Sequence, residues 1–255
     1  MKLTKRNYFS RKANREYMSV SQFKSFCKCP AAALAELKGI YRREQTTAML
    51  IGSYIDSCFE GTLRTFRKRH PEIFKKDGTL KSEYIQANAI IERIKRDNLF
   101  MDYISGEKQV IMTGSISSVP VKIKIDSLHP NKIVDLKIMR DFKSVYDPER
   151  GRLPWFEAWG YDLQGAVYQE IVRQNTGKQL PFYLAAATKK RITDLDIVHL
   201  SQDMLDFALT KFKSDVERYD AMKKGIVEAE RCGTCEYCKI SKVLEQPTEA
   251  DDFYW

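Results

Sequence analysis

Two aspartates and a lysine are the residues of this chain whose types and spacing best suit chemistry. Asp126 lies near the end of one stretch of alternating polar and apolar residues, and Asp135 and Lys137 belong to the next stretch. Residues two apart on a strand face the same side, so a tight hairpin between the stretches would bring the three side chains together. Two converging carboxylates suit a hard divalent cation, Mg²⁺ or Mn²⁺.

A lysine beside such carboxylates indicates the reaction that the group could support. Its ammonium can orient or deprotonate a water molecule and offset the charge of a phosphate. A bound cation polarises a phosphoryl oxygen and lowers the pKa of an attacking water. Phosphodiester hydrolysis requires these functions. The alternative is an ordinary surface salt bridge between Asp135 and Lys137, and the Asp-x-Lys triplet alone favours that simpler interpretation.

A cysteine-rich segment offers a second chemistry. Cys232, Cys235 and Cys238 follow CxxCxxC spacing, and thiolates at such spacing bind Zn²⁺ or iron–sulfur clusters. Either site needs a fourth ligand from elsewhere in the chain. The alternative is that these cysteines are reduced free thiols, since disulfides are not expected in a reducing compartment.

The hydrophobic pattern predicts the elements that must position these residues. Period-two alternation rich in Val and Ile predicts strands at 110–113, 119–128 and 132–138, and two more strands are predicted at 180–188 and 195–200. Apolar residues at helical spacing, bounded by Ser, Pro or Gly, predict helices at 19–26, 30–37, 44–67, 81–96, 154–175 and 201–224. The turn His129-Pro130-Asn131 predicts a hairpin between strands 119–128 and 132–138. This order indicates an α/β or α+β domain with a central mixed β-sheet and flanking helices.

Length and charge narrow the class of protein. The chain has 255 residues, and we expect one domain: a helical N-terminal part (1–104), a core (105–225) and a cysteine-containing tail (226–255). The net charge is +9 and the pI is about 9.1. Clusters of Lys and Arg within 2–15, 64–69 and 189–191 favour a polyanionic partner such as nucleic acid.

Targeting signals are lacking in the sequence. No apolar run approaches the roughly 20 residues that a membrane span requires. The basic first residues have no apolar segment of the kind that secretory signals contain. We therefore expect a cytoplasmic protein with no membrane partner.

The spacing of the acidic residues resembles the PD-(D/E)xK nucleases. Asp126, followed nine residues later by Asp135-Leu136-Lys137, is similar to their active-site signature. Gln164 and Tyr168 are similar to the QxxxY motif of the RecB-type branch, and at i and i+4 on a helix both can point at one site. Residues 52–56 fall where that branch has GxxxH, and residues 21–30 are similar to its opening helix. The motifs keep the family's order over almost the whole chain.

The resemblance implies a restriction-endonuclease-like core preceded by N-terminal helices, together with roles for particular residues. Asp126, Asp135 and the backbone carbonyl of Leu136 would hold Mg²⁺ or Mn²⁺, with Lys137 beside them. Gln164 would help to orient the attacking water, and Tyr168 would approach a DNA phosphate. Asp56 replaces the family's histidine as a further hard ligand, and Glu107 stands where relatives often carry another acidic residue.

The group that the chain most resembles is the exodeoxyribonuclease VIII (RecE)-like exonucleases of phages and prophages. This resemblance implies a metal-dependent exonuclease on linear double-stranded DNA, which leaves a single-stranded tail for an annealing recombinase. It also suggests a ring-shaped homo-oligomer. Two alternatives stay open: a non-catalytic nucleic-acid-binding module with a cysteine metal site, and a restriction or CRISPR-type endonuclease on the same fold.

The cysteines also resemble a known arrangement. In the AddB-type and the iron–sulfur CRISPR-associated nucleases, one N-terminal cysteine joins three C-terminal ones around a [4Fe-4S] cluster. By this resemblance Cys29 would join Cys232, Cys235 and Cys238, although the last gap is shorter than in those families. The expected result is a clasp between the chain ends that holds a [4Fe-4S] cluster or Zn²⁺.

Overall fold

The computed structural model describes residues 1–244, 246–247 and 249, so part of the predicted tail (226–255) lies outside the described residues. The strands are β1 (Glu107–Ile116), β2 (Val119–Leu128), β3 (Ile133–Met139), β4 (Val145–Asp147), β5 (Gly151–Leu153), β6 (Phe182–Thr188) and β7 (Leu195–His199). The helices are α1 (Arg11–Glu16), α2 (Val20–Lys28), α3 (Pro30–Lys38), α4 (Thr47–Phe59), α5 (Leu63–Arg69), α6 (Ser82–Lys95), α7 (Asn98–Tyr103), α8 (Trp155–Ala158), α9 (Tyr161–Thr176), α10 (Gln202–Lys223) and α11 (Glu236–Ile240).

A five-stranded mixed sheet in the order β1-β2-β3-β6-β7 organises the molecule. β3 and β6 are parallel, and the other neighbours in this sheet are antiparallel. β4 and β5 form a separate hairpin. The predicted fold class, a central mixed sheet with flanking helices, is therefore confirmed. The predicted hairpin between β2 and β3 is also present.

Two predicted helices are interrupted in the structure. The helix expected at 44–67 is divided into α4 and α5 at Gly61, and the helix expected at 154–175 is divided into α8 and α9 at Gly160. Both glycines have left-handed backbones, with φ of 73° and 63°. A left-handed residue ends a helix, and glycine adopts that conformation without a Cβ clash. The apolar period continues across both breaks, so the pattern did not reveal them.

The sheet is covered by helices on both sides. On one face, α2, α9 and α10 pack against β2, with Phe23, Val167 and Phe212 fully buried. On the other face, α4 and α6 pack against β3 and β6, with Tyr54 and Ile90 buried against Val134. This covering anchors the strands that carry the aspartates. Among the described residues, no helix is long and apolar enough to cross a membrane.

The middle of the sheet contains a fork between β2 and β3. These strands pair only at Ser127–Val134 and Leu128–Ile133. Met18, which precedes α2, forms a parallel bridge to Val121 on β2: its N–H donates to the Pro120 carbonyl (2.8 Å) and its carbonyl accepts from Lys122 N–H (2.9 Å). We call this region, residues 119–126 and 135–139, the β2–β3 fork.

Candidate active site

The β2–β3 fork brings Asp126, Asp135 and Lys137 together. In place of a ladder hydrogen bond, the N–H of Leu136 donates to Oδ2 of Asp126 at 3.2 Å. The Lys137 ammonium forms an ion pair with Asp135, which is 2% exposed. This geometry differs from a surface salt bridge, because the aspartate is buried and a second carboxylate stands beside the pair.

Helix α9 supplies the next group. The side-chain amide of Gln164 donates from Nε2 to Oδ1 of Asp135 at 2.7 Å. Gln164 therefore touches the acidic cluster directly, one helical turn before Tyr168. The Tyr168 hydroxyl donates to the backbone carbonyl of Lys124 at 3.1 Å and so supports β2 close to Asp126. The expected roles of Gln164 in orienting water and of Tyr168 at a phosphate stay predictions.

Helix α4 contributes a third carboxylate. Asp56 is partly buried and lines a small recess together with Glu60, Gln109 and Asp126. Glu60 follows Asp56 by one helical turn, a spacing that places both carboxylates on one helix face. That spacing was visible in the sequence and could have identified Glu60 beforehand.

Gln109 is a residue of the site that the sequence did not indicate. It is buried, and its Nε2 donates to Oδ1 of Asp126 at 3.1 Å. Its backbone has a φ of 57° within β1, a left-handed conformation that is unfavourable for a residue with a side chain. Among the described residues, its Oε1 has no hydrogen-bond partner. No sequence signal marks a strained glutamine inside a strand.

Glu107 does not join the acidic cluster. It is exposed and pairs with Leu128, two positions beyond Asp126 along β2. Its neighbours are Gly106, His129 and Pro130 at that end of the sheet. The structure therefore separates Glu107 from the position expected for an acidic ligand, and Gln109 contacts Asp126 instead.

The electrostatics of the cluster reflect crowded negative charge. Burial and the neighbouring charge of Asp135 raise the pKa of Asp126 to about 7. Burial and the charge of Asp126 also raise the pKa of Asp56 well above its usual value. Burial disfavours the charge of Lys137, but Asp135 and Asp126 outweigh that effect and raise its pKa above the usual value. Lys137 is thus held protonated, which favours charge compensation over proton abstraction.

The residues present fit a divalent cation. Three carboxylates, those of Asp56, Glu60 and Asp126, line the recess with one ammonium, that of Lys108, so negative charge is in excess. Asp135 stands beside Asp126, and its charge is paired with Lys137. Burial first, and the neighbouring carboxylate second, raise the pKa values of Asp56 and Asp126. Hard oxygen donors of this kind are the ligands that Mg²⁺ and Mn²⁺ bind.

This excess charge predicts how stability depends on pH. The pKa of Asp126 is about 7 in the fold and ordinary in the unfolded chain. The native state therefore binds the proton more tightly, and without metal the contribution of Asp126 to stability is lost as the pH rises from about 4 to 7. We expect Asp126→Asn in EDTA to raise the melting temperature at pH 8 by about 3–6 °C and to have little effect at pH 4.5.

Thermal unfolding with and without Mn²⁺ tests this expectation. Mn²⁺ should raise the melting temperature of the unsubstituted protein more at pH 8 than at pH 6, since deprotonated carboxylates bind the ion. Asp126→Asn should remove the Mn²⁺-induced increase. An equal destabilisation by Asp126→Asn at both pH values would contradict the assignment of crowded charge.

The four cysteines converge at the start of α3. The Sγ atoms of Cys29, Cys232, Cys235 and Cys238 all lie within 4.8 Å of one another. Sγ of Cys29 is 3.6 Å from Sγ of Cys238, which is 4.0 Å from Sγ of Cys232. The cysteine clasp that the resemblance implied is thus present as a geometric arrangement. Cys27 is exposed, and Cys58 lies on α4, partly buried against the core.

Backbone groups favour the thiolate form of Cys232, whereas at Cys235 the N–H of Cys238 is outweighed by burial and the neighbouring thiols, which raise the pKa of Cys235 to about 12. The N–H of Cys235 points at Sγ of Cys232 (3.4 Å), and the N–H of Cys238 points at Sγ of Cys235 (3.5 Å). Hydrogen bonds from the N–H groups of Cys235 and Thr234 lower the pKa of Cys232 to about 6. A thiolate is the form that binds a metal, so the cluster fits a Zn²⁺ or iron centre.

Comparisons with known proteins agree with this geometry. Residues 19–241 match the family described as "PDDEXK-like domain of unknown function (DUF3799)". A solved structure named "Putative exonuclease", from Eubacterium rectale, is 45% identical in sequence. It superposes with a TM-score of 0.96, covering 100% of this chain and 98% of that one. No curated protein matches the chain.

The family match spans both the forked strands and the cysteine segment. It includes the residues that this structure gathers at the fork, from Asp56 to Gln164, and all four converging cysteines. The chain therefore belongs to the PDDEXK-like DUF3799 family, within the PD-(D/E)xK nuclease superfamily.

Proposed function

We propose that this chain is a Mg²⁺-dependent deoxyribonuclease that degrades linear double-stranded DNA as an exonuclease. The observation that carries the proposal is the buried acidic cluster of Asp126 and Asp135 with Lys137 and Gln164 in direct contact. A relative named as an exonuclease and the net charge of +9 support it. The sequence resemblance adds phage-type recombination as the setting, an annealing recombinase as partner and a ring-shaped oligomer.

Each residue of the cluster has a role in this proposal. Asp126, Asp135 and the Leu136 carbonyl would hold Mg²⁺, with Asp56 as a further ligand; the bound ion would polarise the phosphate and acidify a water. Lys137, held protonated by the aspartates, offsets phosphate charge. Gln164 fixes the orientation of Asp135 through its 2.7 Å hydrogen bond and would help to orient the attacking water.

We also propose that the four thiolates hold one tetrahedral Zn²⁺ rather than a [4Fe-4S] cluster. Zn–S bonds of about 2.3 Å in a tetrahedron place sulfurs about 3.8 Å apart. The measured separations of 3.6 and 4.0 Å, with all four Sγ atoms within 4.8 Å, support a single ion. A four-iron cluster inserts iron and sulfide between its thiolates and separates them more widely. The role of this ion would be structural, since it joins α3 to the segment around α11.

Digestion of end-labelled linear DNA and of covalently closed circular DNA, each with Mg²⁺, tests the main proposal. An exonuclease shortens the linear DNA from its ends and leaves the circles intact. Cleavage of closed circles would instead assign an endonuclease. Binding of both DNAs without cleavage in Mg²⁺ or Mn²⁺ would overturn the enzyme assignment and leave the non-catalytic module.

A further inference from the structure

A groove beside the candidate active site has no role in the proposal above. It has an open volume of about 1050 Å³ between α2 and the segment 39–46 that leads into α4. The residues used below are Ser21, Lys24, Ser25, Lys28, Arg42 and Arg43, all of which line it. Two neighbouring elements therefore present basic side chains across one concave surface.

The cations of the groove are only partly neutralised. Glu36 and Glu44 also line it, and Oε1 of Glu36 lies 3.6 Å from Nε of Arg43. Among the described residues, no carboxylate forms an ion pair with Lys28 or Arg42, and both side chains are exposed. These two residues are therefore available to a polyanion, and Ser21 and Ser25 add groups that commonly contact phosphates.

Lys24 connects the groove to the acidic cluster. Its ammonium lies 5.1 Å from the centre of the Tyr161 ring, and the Lys137 ammonium lies 4.7 Å from the same centre. Lys24 also donates to the backbone carbonyl of Trp159 at 2.9 Å. A chain of positive charge thus runs from the site along α2 to Lys28 and across to Arg42.

The wall that carries Arg42 is held by the cysteine segment. The Tyr41 hydroxyl donates to Oε2 of Glu236 at 2.9 Å, and the rings of Tyr41 and Tyr237 lie 5.4 Å apart. Glu236 and Tyr237 stand between two of the converging cysteines. Segment 39–46 is therefore fixed beside α2 by contacts outside the groove, which keeps the groove open.

We infer that this groove binds the sugar–phosphate backbone of the nucleic-acid strand whose scissile phosphate lies at the acidic cluster, with Lys24, Lys28 and Arg42 as the phosphate contacts. The inference rests on the proposed function for the identity of the polyanion. Spaced cations along a groove match a repeating phosphate charge, and contacts of this kind position a strand without reading its sequence. The groove therefore contributes to the affinity for the nucleic acid, while the residues of the β2–β3 fork carry out the hydrolysis.

The test uses Lys28→Gln with Arg42→Gln in the full chain. Fluorescence anisotropy with labelled single-stranded and duplex oligonucleotides in EDTA measures binding between 50 and 200 mM salt. We expect affinity to fall about tenfold at the higher salt concentration and more at the lower one. The slope of log affinity against log salt should decrease by about 1.4–1.8, since each phosphate contact contributes about 0.7–0.9.

A matched control keeps the net charge change equal. Lys75→Gln with Lys76→Gln removes two exposed lysines from the turn before α6, outside the groove, and should alter neither affinity nor slope. Bound oligonucleotide should also protect Lys28, but not Lys75, from acetylation in the unsubstituted protein. Unchanged affinity and slope in the groove variant, or equal acetylation of both lysines, would overturn the inference.

The binding assay is independent of cleavage. A chain that binds through the groove and fails to cut DNA would refute the proposed function and leave the groove assignment intact. A chain that cuts DNA normally after the groove substitutions, with unaltered affinity, would refute the groove and leave the enzyme. Failure of the unsubstituted protein to bind any oligonucleotide would refute the groove directly.

Discussion

Replacing Asp135 with Asn is expected to lower the rate of DNA cleavage by about 10³-fold or more while leaving DNA affinity within about twofold. Asp135 is the most buried carboxylate of the cluster and contacts both Lys137 and Gln164. Removing its charge weakens the cation site and releases Lys137 from its ion pair, so two contributions to hydrolysis are lost together. The basic groove is untouched, so binding persists.

The measurement is a single-turnover cleavage rate with Mg²⁺ beside anisotropy in EDTA. Asp102→Asn is the control, because Asp102 also pairs with a lysine, Lys132, but is 64% exposed and outside the site. Its cleavage rate should stay within about twofold of the unsubstituted protein. Cleavage by Asp135→Asn at more than a tenth of the unsubstituted rate would remove Asp135 from the catalytic cluster.

Among the substitutions proposed here, Cys238→Ser should produce the largest loss of stability. Cys238 is 3% exposed and its Sγ lies 3.6 Å from that of Cys29, so it links the start of α3 to the C-terminal segment. A metal that binds only the folded chain contributes its binding free energy to folding. We expect the free energy of unfolding to fall by about 4 kcal/mol and the melting temperature by about 10 °C.

Elemental analysis and calorimetry on the same preparations test the cysteine centre. The unsubstituted protein should contain one zinc per chain and lack the visible absorption of an iron–sulfur cluster. Cys27→Ser, an exposed cysteine two residues from Cys29, should keep both the zinc and the melting temperature. Iron with a visible absorption band in anaerobically purified protein would refute the zinc assignment, and absence of both metals would refute a metal centre.

The general fold was predictable because its signals are local. Val and Ile alternation identified β2 and β3, and the turn at 129–131 predicted the β2–β3 hairpin. That hairpin places Asp126 opposite Asp135, because Ser127 pairs with Val134. The proximity of the aspartates therefore follows from the register, and the register follows from the turn.

Other features depend on tertiary structure and left no mark on the sequence. Gln109 combines a left-handed backbone with a hydrogen bond to Asp126, and neither follows from its residue type. The protonation of Lys137 depends on how deeply Asp135 is buried. The approach of Asp56 to Asp126 depends on how α4 packs against the sheet, which the periodic pattern does not indicate.

The short pairing of β2 with β3 has a mechanical consequence. Nine residue pairs join β1 to β2 and seven join β3 to β6, but only two join β2 to β3. The sheet thus has two well-paired parts, β1–β2 and β3–β6, with a weakly paired boundary between them. Asp126 and Asp135 stand on opposite sides of that boundary. A displacement of β1–β2 relative to β3–β6 would change the distance between the carboxylates of Asp126 and Asp135. A cation bound by both aspartates would cross-link the two parts of the sheet. Cation binding would therefore make the whole sheet more rigid.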